Sequence, residues 1–108
     1  MKFNCDYSEY SDILSVHRDG SITKGSVEVG DFTLDFDKND EIVGIEIEYA
    51  SEFLSNLDID KESLTKIQKA LITIDKRNPN CQIIFLKLEF LEMTMNIPLP
   101  MPVVSSSR

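Results

Sequence analysis

The sequence predicts an α+β domain built mostly from antiparallel sheet, with about seven strands in meanders and hairpins and one or two helices in mid-chain. Two observations lead to this fold class. Apolar and polar residues alternate in several segments on both sides of the chain's centre, which is typical of strands with one buried face. Between them, over residues 50–71, the apolar spacing becomes that of a helix. No strand–helix–strand rhythm repeats, so a parallel sheet is not expected.

The N-terminal strands follow from this alternation. Ser11–Arg18 is the first predicted strand, with Leu14 and Val16 on one face. The segment SVEVGDFTLDFD continues as strand, and Gly30 is the place where a bulge or bend would fit.

A β-hairpin is predicted around the turn KNDE, residues 38–41, because Asn and Asp tolerate the positive φ angles of such turns. The predicted cross-strand pairs are Phe36 with Val43, Leu34 with Ile45, and Phe32 with Ile47. A shift of one residue would expose all of these side chains, so we expect the register to be fixed. The opposite face would then carry carboxylates, namely Asp31, Asp35, Asp37, Glu46 and Glu48.

Helical spacing begins directly after this hairpin, with no glycine or proline between. The first apolar stripe is Ala50, Phe53, Leu54 and Leu57, and Ser51 is a candidate cap. A second helix is predicted to begin at Asp58 or Asp60, with an apolar stripe formed by Leu64, Ile67 and Leu71.

Three more strands are predicted in the C-terminal part, in LITIDK, CQIIFLKLEF and EMTMNIPLP. Pro79 forces a turn between the first two. Because Pro98, Pro100 and Pro102 cannot donate to a ladder, the last segment is expected to be an edge strand that continues as extended chain.

Composition and charge weaken several functional classes. The formal net charge of −8 disfavours direct binding to nucleic acid. No apolar run approaches the roughly 20 residues of a membrane span. The N-terminus lacks the apolar stretch of an export signal, so we expect a cytoplasmic protein with Cys5 and Cys81 as free thiols.

No catalytic, cofactor-binding or metal-binding residue is predicted. His17 is the single histidine and has no serine or cysteine in a recognisable nucleophile motif beside it. The four glycines are scattered, without the lysine of a phosphate-binding loop, and neither cysteine belongs to a zinc-binding pair. An enzymatic role is therefore not favoured.

The paired carboxylates are the candidate functional residues. Asp35 with Asp37, and Glu46 with Glu48, lie two apart on predicted strands and so share one face. The plainest interpretation is a solvated outer face. The functional one is a contact with a basic protein partner, and the alternative is a small enzyme or divalent-cation binder that uses the same acidic face. A homodimer through a sheet edge or the C-terminal tail is also expected.

Three pieces of the sequence resemble the domain-of-unknown-function 2283 family, a family of short prokaryotic proteins. They are Tyr7 with Asp12, Leu14 and Val16; then LDFD; then VGIEIEYAS. The similarity covers about residues 5–54, and Gly44-Ile45-Glu46-Ile47 followed by Ala50-Ser51 is its most specific part. The sequence departs from the family pattern at four positions, which are Ser8, Ser15, Asp40 and Glu48.

The resemblance implies a small antiparallel sheet with a helix, and it supplies no catalytic residue. It also implies an antitoxin-like role, since some members are encoded beside small basic ribonuclease-like toxins. The expected organisation is a single domain over residues 1–104, with a family-like core at about 5–54 and a C-terminal β extension at about 71–100. Residues 105–108 would form a polar tail.

Overall fold

The structure is a computed structural model that describes residues 2–78 and 81–99. Its strands are β1 (Phe3–Ser8), β2 (Ile13–Arg18), β3 (Gly25–Val29), β4 (Phe32–Phe36), β5 (Ile42–Glu48), β6 (Lys69–Asn78), β7 (Cys81–Glu89) and β8 (Thr94–Leu99). Between β5 and β6 lie helix α1 (Ala50–Leu54), a 3₁₀ turn (Ser55–Leu57) and helix α2 (Lys61–Leu64). The predicted α+β class with antiparallel sheet is confirmed.

The strands form two antiparallel sheets. The first has five strands in the order β1-β2-β5-β4-β3, and the second has three in the order β6-β7-β8. Strand β1, an edge of the first sheet, lies against β6, an edge of the second. The opposite edges of the two sheets are β3 and β8, and each pairs with one described strand only, β3 with β4 and β8 with β7.

One hydrophobic core joins the two sheets and the helices. Leu14 and Leu34 contribute to it from the five-stranded sheet, Leu86 and Leu88 from the three-stranded sheet, and Leu54 from α1. All five side chains are at most 1% exposed. At roughly 2 kcal/mol for each fully buried leucine, this core is the main source of stability.

The hairpin register agrees with the prediction at two of three pairs. Leu34 lies opposite Ile45 and Phe32 opposite Ile47, but Phe36 pairs with Ile42 rather than Val43. The register shifts between Asp35 and Phe36, so β5 contains one extra residue there. A bulge of this kind cannot be read from alternation, because both flanking residues are apolar.

The described residues form eight strands, where about seven were predicted, and β1 is the strand that was not predicted. It pairs with β2 along its whole length, from Phe3 opposite Arg18 to Ser8 opposite Ile13. The two helices are also shorter than predicted. Helix α2 ends at Leu64 and the chain enters β6 at Lys69, so the predicted stripe through Leu71 is wrong.

Cap residues differ from the prediction at one helix and agree at the other. Asp60 caps α2, because its carboxylate accepts a hydrogen bond of 2.8 Å from the Ser63 N–H. Helix α1 is preceded by Tyr49 rather than capped by Ser51.

The predicted turn at Pro79, the extended chain through Pro100 and Pro102, and the tail at 105–108 lie outside the described residues. Within residues 2–78 and 81–99, no helix is long and apolar enough to cross a membrane.

Candidate functional site

The outer face of the five-stranded sheet carries the predicted carboxylates. Cross-strand pairing places its side chains in rows that run perpendicular to the strands. One row, from β1 to β3, is Asp6, Ser15, Glu46, Thr33 and Glu28. The next is Asn4, His17, Gly44, Asp35 and Ser26, and a third contains Ser8, Ile13 and Glu48.

Carboxylates and hydroxyls alternate in the first row. Because neighbouring strands lie about 4.8 Å apart, Asp6 and Glu46 are separated by roughly 10 Å, as are Glu46 and Glu28. No two carboxylates are directly opposite, which avoids the repulsion of like-charged cross-strand pairs. We call the five outward carboxylates the acidic face: Asp6, Glu28, Asp35, Glu46 and Glu48. No lysine or arginine occupies an outward position on these five strands.

The second row brings His17 and Asp35 together above Gly44. A Cβ atom at Gly44 would lie 2.7 Å from Cδ2 of His17 and 2.8 Å from Oδ2 of Asp35. Only glycine leaves room for both side chains at this crossing. His17 Nε2 lies 3.1 Å from the hydroxyl of Thr23, and Asp35 accepts a 2.6 Å hydrogen bond from the hydroxyl of Ser26.

This arrangement differs from that of a nucleophilic triad. In a triad, a carboxylate holds Nδ1 of the imidazole while Nε2 faces the nucleophile. Here the ring atom closest to the crossing is Cδ2, and Asp35 bonds to Ser26 instead of His17. Across residues 2–78 and 81–99, no three His, Cys, Asp or Glu side chains are grouped so that they could hold a metal ion.

Asp37 is separated from the other three candidate residues. It follows the end of β4, and its Oδ1 accepts hydrogen bonds from the N–H groups of Glu41 at 3.0 Å and Asn39 at 2.8 Å. Its Oδ2 lies 3.3 Å from a guanidinium nitrogen of Arg18. These backbone bonds, with the Arg18 charge, hold the pKa of Asp37 below its ordinary value. Asp37 thus closes the β4–β5 turn, while Asp35, Glu46 and Glu48 lie on the sheet.

A second polar cluster joins the β1–β2 turn to helix α1. The Asp12 carboxylate accepts hydrogen bonds from the Tyr7 hydroxyl at 2.7 Å, from the Ser51 N–H at 3.0 Å and from the Ser51 hydroxyl at 2.7 Å. The Asp12 carbonyl accepts a fourth, of 3.0 Å, from the Ala50 N–H. Asp12 therefore caps α1 from a distant part of the chain.

Electrostatics within this cluster favour an ionised Asp12. Desolvation alone would raise the pKa of Asp12, but the hydrogen bonds from Tyr7 and Ser51 outweigh it and the pKa is lowered. Desolvation, followed by the bond to Asp12, raises the pKa of the Tyr7 phenol. The cluster is thus a neutral phenol bound to a carboxylate, an arrangement that stabilises the corner of the fold.

Sequence reasoning missed three features of this surface. Asp6 and Glu28 were not assigned to the face, and the crossing at Gly44 was not identified. The signal for Asp6 was present, because Phe3, Cys5 and Tyr7 alternate with polar residues in the unrecognised strand β1. The signal for Gly44 was absent, since only three-dimensional pairing shows which side chains approach a glycine.

Comparison with known proteins assigns the chain to a family. Residues 4–51 match the family described as "Protein of unknown function (DUF2283)". The chain is also 39% identical over 83 residues to uncharacterized protein MJ0789 of Methanocaldococcus jannaschii, an alignment that covers 69% of this chain and 71% of the relative. No solved structure matches the chain. The match contains the Tyr7–Asp12–Ser51 cluster and all five carboxylates of the acidic face. The chain belongs to the DUF2283 family.

Proposed function

We propose that this protein is a non-catalytic interaction module that binds a basic protein partner through its acidic face. The observation that supports this is the charge of the sheet surface. Five carboxylates occupy outward positions on four of the five strands, and no lysine or arginine lies among them. A surface of one sign attracts a partner of the opposite sign and accelerates their encounter.

Asp35, Glu46 and Glu48 are the central contacts of this proposal, and Asp6 and Glu28 extend the surface towards the sheet edges. Asp37 contributes its charge from the adjoining turn, where it is already bonded to Arg18. The finer form of the proposal is antitoxin-like: the partner would be a small basic ribonuclease-like toxin whose cationic surface otherwise contacts RNA.

The test is the affinity for a partner isolated from a native cell extract at low salt. We expect the dissociation constant to rise at least tenfold between 50 and 300 mM salt, because the contacts are exposed ion pairs. The double charge reversal Asp35→Lys with Glu46→Lys should weaken binding by a similar factor while the melting temperature stays within a few degrees.

A matched control reverses two exposed carboxylates away from the acidic face, by Glu62→Lys with Glu92→Lys. It changes net charge by the same amount, so long-range attraction falls equally in both variants. Binding that responds equally to both pairs would place the contact elsewhere, and binding that responds to neither salt nor charge would refute the proposal.

We further propose a homodimer that forms through the three-stranded sheet. Its outer face carries four apolar side chains that are exposed or half-buried, namely Leu71, Ile83, Phe85 and Pro98. Ile83 is 38% exposed, and β8 is an unpaired edge beside this patch. Light scattering over a range of concentrations should give the dimer mass for the native chain and the monomer mass for Phe85→Glu. A monomer mass for the native chain at every concentration would refute it.

A further inference from the structure

Tyr49 has a backbone conformation that is unfavourable for its residue type. It lies between β5 and α1 with φ 55° and ψ 43°, in the left-handed region. The other non-glycine residues with positive φ in the described chain are all aspartates, which tolerate this region: Asp12, Asp40 and Asp58. Tyr49 is also 55% exposed, so burial of its ring does not offset the cost. The fold gains little from a tyrosine at this position.

The side chain of Tyr10 likewise contributes little to the stability of the fold. It lies in the β1–β2 turn and is 100% exposed, so its ring contacts nothing in the described chain. The turn that carries it is fixed to the start of α1, because the Asp12 carbonyl accepts the Ala50 N–H bond. The two tyrosines therefore lie on adjoining segments at one end of the five-stranded sheet.

Each tyrosine has an exposed carboxylate beside it in the sequence. Glu9 precedes Tyr10 and Glu48 precedes Tyr49 in the chain, and both are exposed. Glu48 also belongs to the acidic face, and Tyr49 follows it directly in the chain. The charge of Lys61 acts on Asp12, in the turn that carries Tyr10. Tyrosine rings bind cations through their faces, and the planar guanidinium of arginine stacks on them better than an ammonium group does.

We propose that Tyr10 and Tyr49 are the aromatic contacts of the partner surface, and that they stack against arginine side chains of the basic partner. This inference rests on the proposed function and names the chemistry of its partner, an arginine-rich segment. Tyrosine and arginine are the residue types most enriched in the strongly contributing parts of protein interfaces. The acidic face supplies attraction, and the tyrosine pair distinguishes arginine from lysine.

Fluorescence anisotropy with labelled nona-arginine and nona-lysine at 50 mM salt tests this inference. We expect nona-arginine to bind the native protein roughly threefold or more tightly than nona-lysine. The double variant Tyr10→Asn with Tyr49→Asn should lose this preference while its affinity for nona-lysine stays unchanged. The double variant Tyr10→Phe with Tyr49→Phe keeps both rings and should retain the preference.

Two further measurements separate the possible failures. Tyr49→Asn should raise the melting temperature, because asparagine tolerates the left-handed conformation, so a loss of binding would not reflect unfolding. An arginine preference that survives in the asparagine variant would overturn the inference, since carboxylates alone would then account for it. If the preference survives but Asp35→Lys with Glu46→Lys weakens the binding of both peptides, the proposed function still stands. If the charge reversal changes the affinity for neither peptide, the proposed function itself fails.

Discussion

The Asp12 carboxylate accepts two hydrogen bonds from Ser51, a residue 39 positions further along the chain. This contact explains how β5 runs into α1 without a glycine or proline. Tyr49 turns the chain in the left-handed conformation, and Asp12 satisfies the first N–H groups of the helix that follows. The corner is held by a distant acid rather than by a local cap.

Replacing Asp12 should therefore weaken the fold. Asp12→Asn keeps a side chain that tolerates the φ angle of 58° but replaces one of the two oxygens that accept from three donors with an NH₂ group. We expect the free energy of unfolding, measured with urea at pH 7, to fall by about 2 kcal/mol. The matched control is Asp40→Asn, which has a φ angle of 61° and no hydrogen bond from its side chain to the described residues. A similar loss in both variants would contradict the capping role.

The stabilisation by Asp12 should also depend on pH. Since its pKa is lowered in the folded protein, the ionised carboxylate stabilises the fold above the unfolded value of 3.8. That contribution is lost as the pH falls through the lower folded pKa. We therefore expect the difference in unfolding free energy between the native chain and Asp12→Asn to shrink from pH 7 to pH 2. A difference that is constant over this range would show that the carboxylate charge is not responsible.

Alternation predicted the parts of the fold that depend on burial. Leu34 and Ile45 pair as expected because a one-residue slip would expose an entire face. The bulge beside Phe36 was not predicted, since Ile42 and Val43 are both apolar and either could face the core. Helix α2 was predicted too long for a similar reason. Ile67 and Leu71 continue a helical spacing, yet Leu71 lies in β6 and is held extended by pairing with β7, while Ile67 precedes that strand.

The candidate site was only partly predictable. Asp35, Glu46 and Glu48 were placed on one face because strand periodicity fixes orientation. Asp37 lies in the turn instead, where two backbone N–H groups bind its carboxylate. The meeting of His17 with Asp35 depends on β2 and β4 both flanking β5, and strand order in a sheet is not encoded in local spacing.

Gly44 is expected to be intolerant of a side chain. A Cβ there would approach His17 and Asp35 to less than 3 Å, so Gly44→Ala must displace both. We expect the unfolding free energy to fall by about 1 kcal/mol, a modest loss because the two side chains can turn towards solvent. Adding His17→Ala in the same chain should recover part of it, because the contact with Asp35 remains. Gly25→Ala is the control, because a Cβ at that position meets nothing within 4 Å.

The two sheets should unfold together, since they share one core. Leu14 in β2 and Leu86 in β7 are both fully buried in it. Leu14→Ala and Leu86→Ala should each lower the unfolding free energy by about 2–5 kcal/mol and keep a single transition. Ile22→Ala is the control, because Ile22 is 70% exposed and its loss should cost little. Two separate transitions in either leucine variant would show that the sheets are independent units.

The Cys5 thiol should react slowly in the folded protein. Burial, followed by the charge of Asp6, raises the pKa of Cys5 to about 11 from an ordinary value of 9.0. Since the thiolate is the reactive form, disulfide-exchange reagents at pH 8 should modify Cys5 at least tenfold more slowly in the native chain than in urea. The measurement uses a Cys81→Ser variant so that Cys5 alone is followed.

The native rate should rise as the pH approaches 11, and the Asp6→Asn variant should react faster at pH 8, because one of the two causes of the shift is removed. Equal rates in native buffer and in urea would mean that strand β1 does not protect Cys5, and that the edge of the five-stranded sheet opens readily.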